Sequence, residues 1–101
     1  AVKRIVLAYK GWLVRLAGLP DDGLKSIDKA IEVNPNYPDA HFFKGYVLLR
    51  DKQMPADAIP EFQKFLSNNP PQDMVPLVQQ ALTEALALTN SDQATTVNPH
   101  S

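Results

Sequence analysis

Few residues in this chain of 101 amino acids could do chemistry: two histidines, His41 and His100, eleven carboxylates and ten lysines or arginines, with no cysteine. Lack of cysteine removes thiolate nucleophiles, thiolate metal sites and disulfides together. No nucleophile stands with a base at readable spacing, no glycine-rich phosphate loop is present, and no pair of histidines or carboxylates has metal-ligand spacing. Asp21-Asp22 and the scattered acids read as helix starts and a solvated face. The expectation is a chain with no catalytic residue, no metal site and no cofactor, one that works by binding.

Charge narrows what could be bound. The formal net charge is -1, without the basic surplus that phosphate recognition needs, so nucleic acid is not an expected partner. The distribution is uneven: residues 1–20 hold Lys3, Arg4, Lys10 and Arg15 with no acid, and the rest carries six bases against eleven acids. The apolar stretch from Ile5 to Leu19 is interrupted by Lys10 and Arg15, which argues against both membrane insertion by this segment and a signal-peptide core. Starting on Ala and not Met, the sequence leaves room for a targeting or anchoring segment ahead of residue 1.

The elements that would position a binding surface are helical. Proline-containing turn clusters at 19–23, 34–38, 51–55 and 68–71 separate segments whose apolar residues recur at three and four, as in Leu24, Ile27, Ala30, Ile31 or Ala58, Ile59, Phe62, Phe65, Leu66. The spacing predicts five helices near 2–17, 21–33, 38–51, 56–68 and 74–88, followed by a polar, flexible tail over 89–101. Asp21, Asp39, Asp57 and Asp73 lie at or near helix starts. Pro60 and Pro76, three residues after an Asp, are expected inside first turns.

The chain repeats itself. Tyr9-Lys10-Gly11-Trp12-Leu13-Val14 and Phe43-Lys44-Gly45-Tyr46-Val47-Leu48 share one pattern at an offset of 34 residues. Leu24, Ile27, Ala30, Ile31 and Pro35 match Ile59, Phe62, Phe65, Leu66 and Pro70 at 35, which places one extra residue in the second copy's central turn. Such a period indicates stacked helix-turn-helix units. Glycine in mid-helix costs about 1 kcal/mol against alanine, so Gly11 and Gly45 point to close approach of a neighbouring helix. Lys10 and Lys44 are expected to lay their stems on apolar surface with the ammonium in water.

On these residues the chain resembles the tetratricopeptide repeat family, whose first helix carries Trp-x2-Leu-Gly-x2-Tyr and whose second carries Ala-x3-Phe, then Ala and Pro. His41, Lys44, Gly45 and Leu48, then Ala58, Phe62, Phe65 and Pro70, occupy those positions in the second copy. Leu7, Lys10, Gly11 and Val14, then Gly23, Ile27, Ala30 and Pro35, occupy them in the first. Lys before both glycines, Gly23 and Phe65 depart from the family pattern. The resemblance implies an all-α domain over 1–88 that forms a right-handed superhelix, with repeats at about 4–37 and 38–71 and a capping helix at 74–88. It also places His41 at a packing position.

By the same resemblance the concave face displays Ala8, Trp12, Arg15 and Leu16 from the first repeat and Phe42, Tyr46, Leu49 and Arg50 from the second. Helical spacing groups Phe42, Tyr46 and Leu49 independently, and likewise Ala8, Trp12 and Arg15. The expectation is a non-catalytic module taking a partner's peptide or helix in an aromatic groove; the same stripe packed as core is the open alternative. Lysine and asparagine, which the family uses to clamp chaperone C-termini, are missing from these positions. A second binding reading is a homodimer through the first helix, whose apolar residues surround much of its circumference. The close of the chain, residues 66–84, is similar to bacterial repeat proteins of cytochrome c maturation, which implies an assembly factor in the cytoplasm or tethered at the membrane.

Overall fold

A computed structural model describes residues 2–97, with side chains described for residues 2–90. The architecture is all-α: α1 (Lys3–Leu16), α2 (Pro20–Val33), α3 (Pro38–Tyr46) continued by a π-helical turn (Val47–Asp51), α4 (Pro55–Leu66) and α5 (Val75–Val97). Among the described residues there is no strand, and no helix is long and apolar enough to cross a membrane. Proline at the first position starts α2, α3 and α4, where its fixed φ suits a helix and its missing N–H costs nothing. Asp21, Asp22, Asp39 and Asp57 occupy first turns but make no capping hydrogen bond, so they act on the helix dipole.

α1 and α2 run antiparallel and nearly touch. A Cβ on Gly11 would meet the Gly23 carbonyl oxygen at 2.5 Å and Ile27 Cγ1 at 2.6 Å, and one on Gly23 would meet the Gly11 carbonyl oxygen at 2.6 Å. The crossing is therefore backbone on backbone. Ser26 Oγ–H donates to the Leu7 carbonyl at 2.8 Å one turn further along. In the second pair the same slot is filled by a ring: the space beside Gly45 is occupied by Phe62. Of the repeat positions, Gly11, Ala30, Gly45, Ala58 and Phe62 are all buried. Pro35 closes the first repeat with its carbonyl bound to His41, and Pro70 follows α4.

The extra residue of the second copy has a location. In the first repeat α1 ends in a Schellman motif, with Leu19 N–H bound to Val14 O at 3.2 Å, Gly18 N–H bound to Arg15 O at 2.9 Å, and Gly18 at φ 98°. The equivalent closing bond in the second repeat runs from Met54 N–H to Leu48 O at 2.8 Å and spans one residue more. The helix absorbs that residue by widening to the π turn, where Lys52 N–H reaches Val47 O at 3.0 Å. Gln53, at φ 53°, takes the left-handed place of Gly18.

Two expectations change. Pro60 is the sixth residue of α4, because Pro55 and not Asp57 sets the helix start; its missing N–H leaves the Ala56 carbonyl without an intrahelical partner on the solvent side, where water can serve. The polar segment after residue 88 continues α5 as helix to Val97, since no proline or glycine follows Pro76 until Pro99, and Thr89 Oγ–H donates back to Ala85 O at 2.9 Å. The end of the expected tail, residues 98–101 with His100, lies outside the described residues.

Gly11→Ala is expected to lower unfolding free energy by about 2 kcal/mol in urea titration despite alanine's better helix propensity, since backbone must move to admit the methyl. Gln53→Gly is expected to raise it by about 0.5–1 kcal/mol through relief of the left-handed backbone.

Candidate functional site

The expected groove residues divide on contact with their neighbours. Phe42, Leu49 and Ala8 are buried. Phe42 lies at the centre of a ring cluster, 4.9 Å from Tyr46, 5.9 Å from Phe65 and 6.1 Å from Trp12. Trp12 stacks on Phe43 at 4.8 Å with an interplanar angle of 21°, and Tyr9 meets the same ring edge-on at 4.9 Å. Much of the stripe is therefore core. The expectation that Ala8, Phe42 and Leu49 face a ligand is corrected, because rings from α1, α3 and α4 need one another to cover their area.

Trp12, Arg15 and Tyr46 are half-buried, and Leu16 and Arg50 are exposed. Each arginine lies over its own helix's aromatic ring: Arg15 is 4.7 Å from the Trp12 centroid and Arg50 is 5.5 Å from that of Tyr46. Both are also paired. Arg15 grips Asp51 through Nε at 2.5 Å and Nη2 at 3.1 Å, tying α1 to the end of the π turn. Arg50 Nη1 reaches Glu84 Oε2 at 2.6 Å, bridging the π turn to α5.

Under that bridge lies an open cleft of about 440 Å³, lined by Tyr46, Arg50, Gln80, Ala81, Thr83, Glu84 and Ala87. A second of about 350 Å³ adjoins it between Leu49, Arg50, Gln53, Pro55 and Leu88. Arg50 lines both. The lining mixes the Tyr46 ring and two alanines with amide, hydroxyl and charged groups. That mixture suits a peptide better than a metabolite. α5 supplies half of the lining, a contribution that Thr83, Glu84 and Ala87 gave no sequence signal for, because they stand on the polar side of a helix that reads as a cap.

His41 is a buried structural group. Its Nδ1 lies 2.8 Å from Glu61 Oε1 and its Nε2 lies 2.6 Å from the Pro35 carbonyl, so both ring nitrogens face oxygen partners. Burial pushes the Glu61 carboxyl upward, but the His41 hydrogen bond and the charges of Lys44, Lys64 and His41 outweigh it and hold the group below its ordinary range. Lys64 Nζ is 3.7 Å away. The pair joins α3 to α4 and to the preceding turn. Glu61 as its partner escaped the sequence reading, since the two lie 20 residues apart. Lys44 does not simply reach water: its Nζ pairs with Asp28 on α2 at 2.9 Å. Among the described residues no group of three His, Cys, Asp or Glu side chains could hold a metal ion.

Since the Glu61 pKa is depressed on folding, its contribution to stability is present above the unfolded carboxyl value near 4.3 and is lost as pH falls through the folded value. Urea midpoints should therefore fall below about pH 4.3, and Glu61→Gln should flatten that slope. His41→Ala, which leaves the carboxylate buried without its nearest partner, is expected to cost about 3 kcal/mol at pH 7.

No protein family, no characterised protein and no solved structure matches this chain.

Proposed function

We propose that this chain is a non-catalytic binding module of tetratricopeptide-like repeats that holds an extended or helical segment of a partner protein against the Tyr46–Glu84 cleft. One observation carries the reading: a half-exposed aromatic floor meets an exposed Arg50–Glu84 ion pair between two separate elements, with open space on either side. Tyr46 and Trp12 supply stackable area, and aromatic and arginine side chains are the types that dominate binding energy at interfaces. The Arg50–Glu84 pair is solvent-exposed and of little worth to stability, so a ligand can exchange it for its own polar groups at small cost. The internal 34-residue period, the glycine crossings and the paired helices support the repeat assignment. The concave site is narrower than the sequence suggests and is shifted toward α5. An assignment to cytochrome maturation rests on the resemblance of residues 66–84 alone.

Selection of peptides from a random displayed library on the full chain tests the reading. Enriched peptides should lose at least about tenfold in affinity for Ala87→Trp, which fills the cleft from an exposed position, and for Glu84→Lys, with the helical signal in circular dichroism unchanged. Peptides that bind both variants as well as the parent chain would overturn it.

A further inference from the structure

The internal repeat sets a covered face of α3 beside an exposed one of α1. The face of α3 that carries Ala40, Phe43 and Val47 is buried, at 0%, 3% and 0% exposure, beneath the first repeat. The equivalent residues of α1, 34 positions earlier, are Val6, Tyr9 and Leu13, exposed at 60%, 42% and 64%, with Tyr9 keeping that exposure while its ring edge meets Phe43 and its hydroxyl donates to Asp39. Val2, Ile5 and Leu16 extend the same stripe and are also exposed. Charge repeats the pattern. Lys44 pairs with Asp28 of α2, whereas Lys10, its counterpart, makes no ion pair among the described residues.

In the second case both helices of the first repeat supply the cover: the Tyr9 and Trp12 rings of α1 lie on Phe43, and α2 runs alongside α3. On α2, Asp21, Leu24, Asp28 and Ile31 recur at three, four and three and so share one side. Asp28 binds Lys44 and Asp21 binds Lys52, while Leu24 and Ile31 pack against the core. A second copy of this chain is a poor substitute. Its own α2 already faces α3, its α5 exposes Leu77, Leu86 and Leu88 but holds Glu84 in the pair with Arg50, and its α1 has no acid to answer Lys10.

We propose that the exposed face of α1 docks an acidic amphipathic helix from another polypeptide, seated as α2 is seated on α3, with an acid of that helix on Lys10. Apolar anchors at i, i+3 and i+7 fill the spaces between Val6, Tyr9 and Leu13, and the acid sets the register. This surface is separate from the Tyr46–Glu84 cleft and does not depend on it.

The probe is a synthetic peptide of residues 18–36, held helical by a lactam between Lys25→Glu and Lys29 on its solvent side and titrated into the full chain by isothermal calorimetry. Binding is expected with Kd of about 100 μM or tighter. The Asp28→Lys peptide should bind the parent chain at least about fivefold more weakly, and the Lys10→Glu chain should recover that loss with the Asp28→Lys peptide. Leu13→Glu should abolish binding in either case. Three results would overturn the proposal: no binding of the stapled peptide at 1 mM, equal affinity of both peptides for the parent chain, or prior occupation of the face. The last would show as a dimer mass in light scattering that Leu13→Glu returns to 11.2 kDa, or as tighter binding of anionic phosphatidylserine vesicles than of the peptide.

Discussion

The crossing of α1 over α2 at Gly11 and Gly23 is the constraint from which the rest of the structure follows. Two backbones approach within the space of a missing methyl group, which sets the distance between the helices and lets Ile27 enter the gap. At that separation Ser26 can reach the Leu7 carbonyl, and α2 presents its other side, with Asp28, to α3. A close crossing in the first repeat thus fixes where the second must sit. Helix propensity opposes both glycines, so the gain must come from packing.

The second repeat solves the same problem with different chemistry. Ala58 stands where Gly23 does and Phe62 where Ile27 does, so the slot beside Gly45 receives an aromatic ring and not a backbone. That ring brings Tyr46 and, through Phe65, Phe42 into one cluster with Trp12 and Phe43. The cluster accounts for the division of the expected groove: rings near its middle are core, and those at its margin, Trp12 and Tyr46, keep a face toward solvent beneath their arginines. Both arginines connect elements, Arg15 to the π turn and Arg50 to α5, so the charged margin of the cluster is also part of the frame.

Polar groups fix the alignment that apolar packing leaves loose. The His41–Glu61 pair and the Pro35 carbonyl join α3, α4 and the turn between repeats at one buried point. Such a pair contributes modestly to stability but strongly penalises any arrangement that separates it. Toward the ends the two faces of the molecule differ in degree: α5 mixes exposed Leu77, Leu86 and Leu88 with glutamine and threonine, while α1 turns the continuous stripe Val6, Tyr9 and Leu13 outward.

Periodicity and breakers in the sequence determined the number and order of helices, because apolar residues at three and four with proline between them admit little else. The 34-residue recurrence and the mid-helix glycines pointed to the helix pairing, and the one-residue mismatch placed an extra residue in the second copy's central turn without showing that the helix would absorb it as a π turn. Exposure was not legible. Phe42 and Tyr46 lie on one helical stripe, yet Phe42 is buried between Phe65 of α4 and Trp12 of α1 while Tyr46, against Phe62, stays half-buried. Likewise nothing local distinguishes Lys10 from Lys44. They share a sequence context, and their difference comes entirely from whether a helix with an aspartate lies alongside, which is a property of the assembled chain.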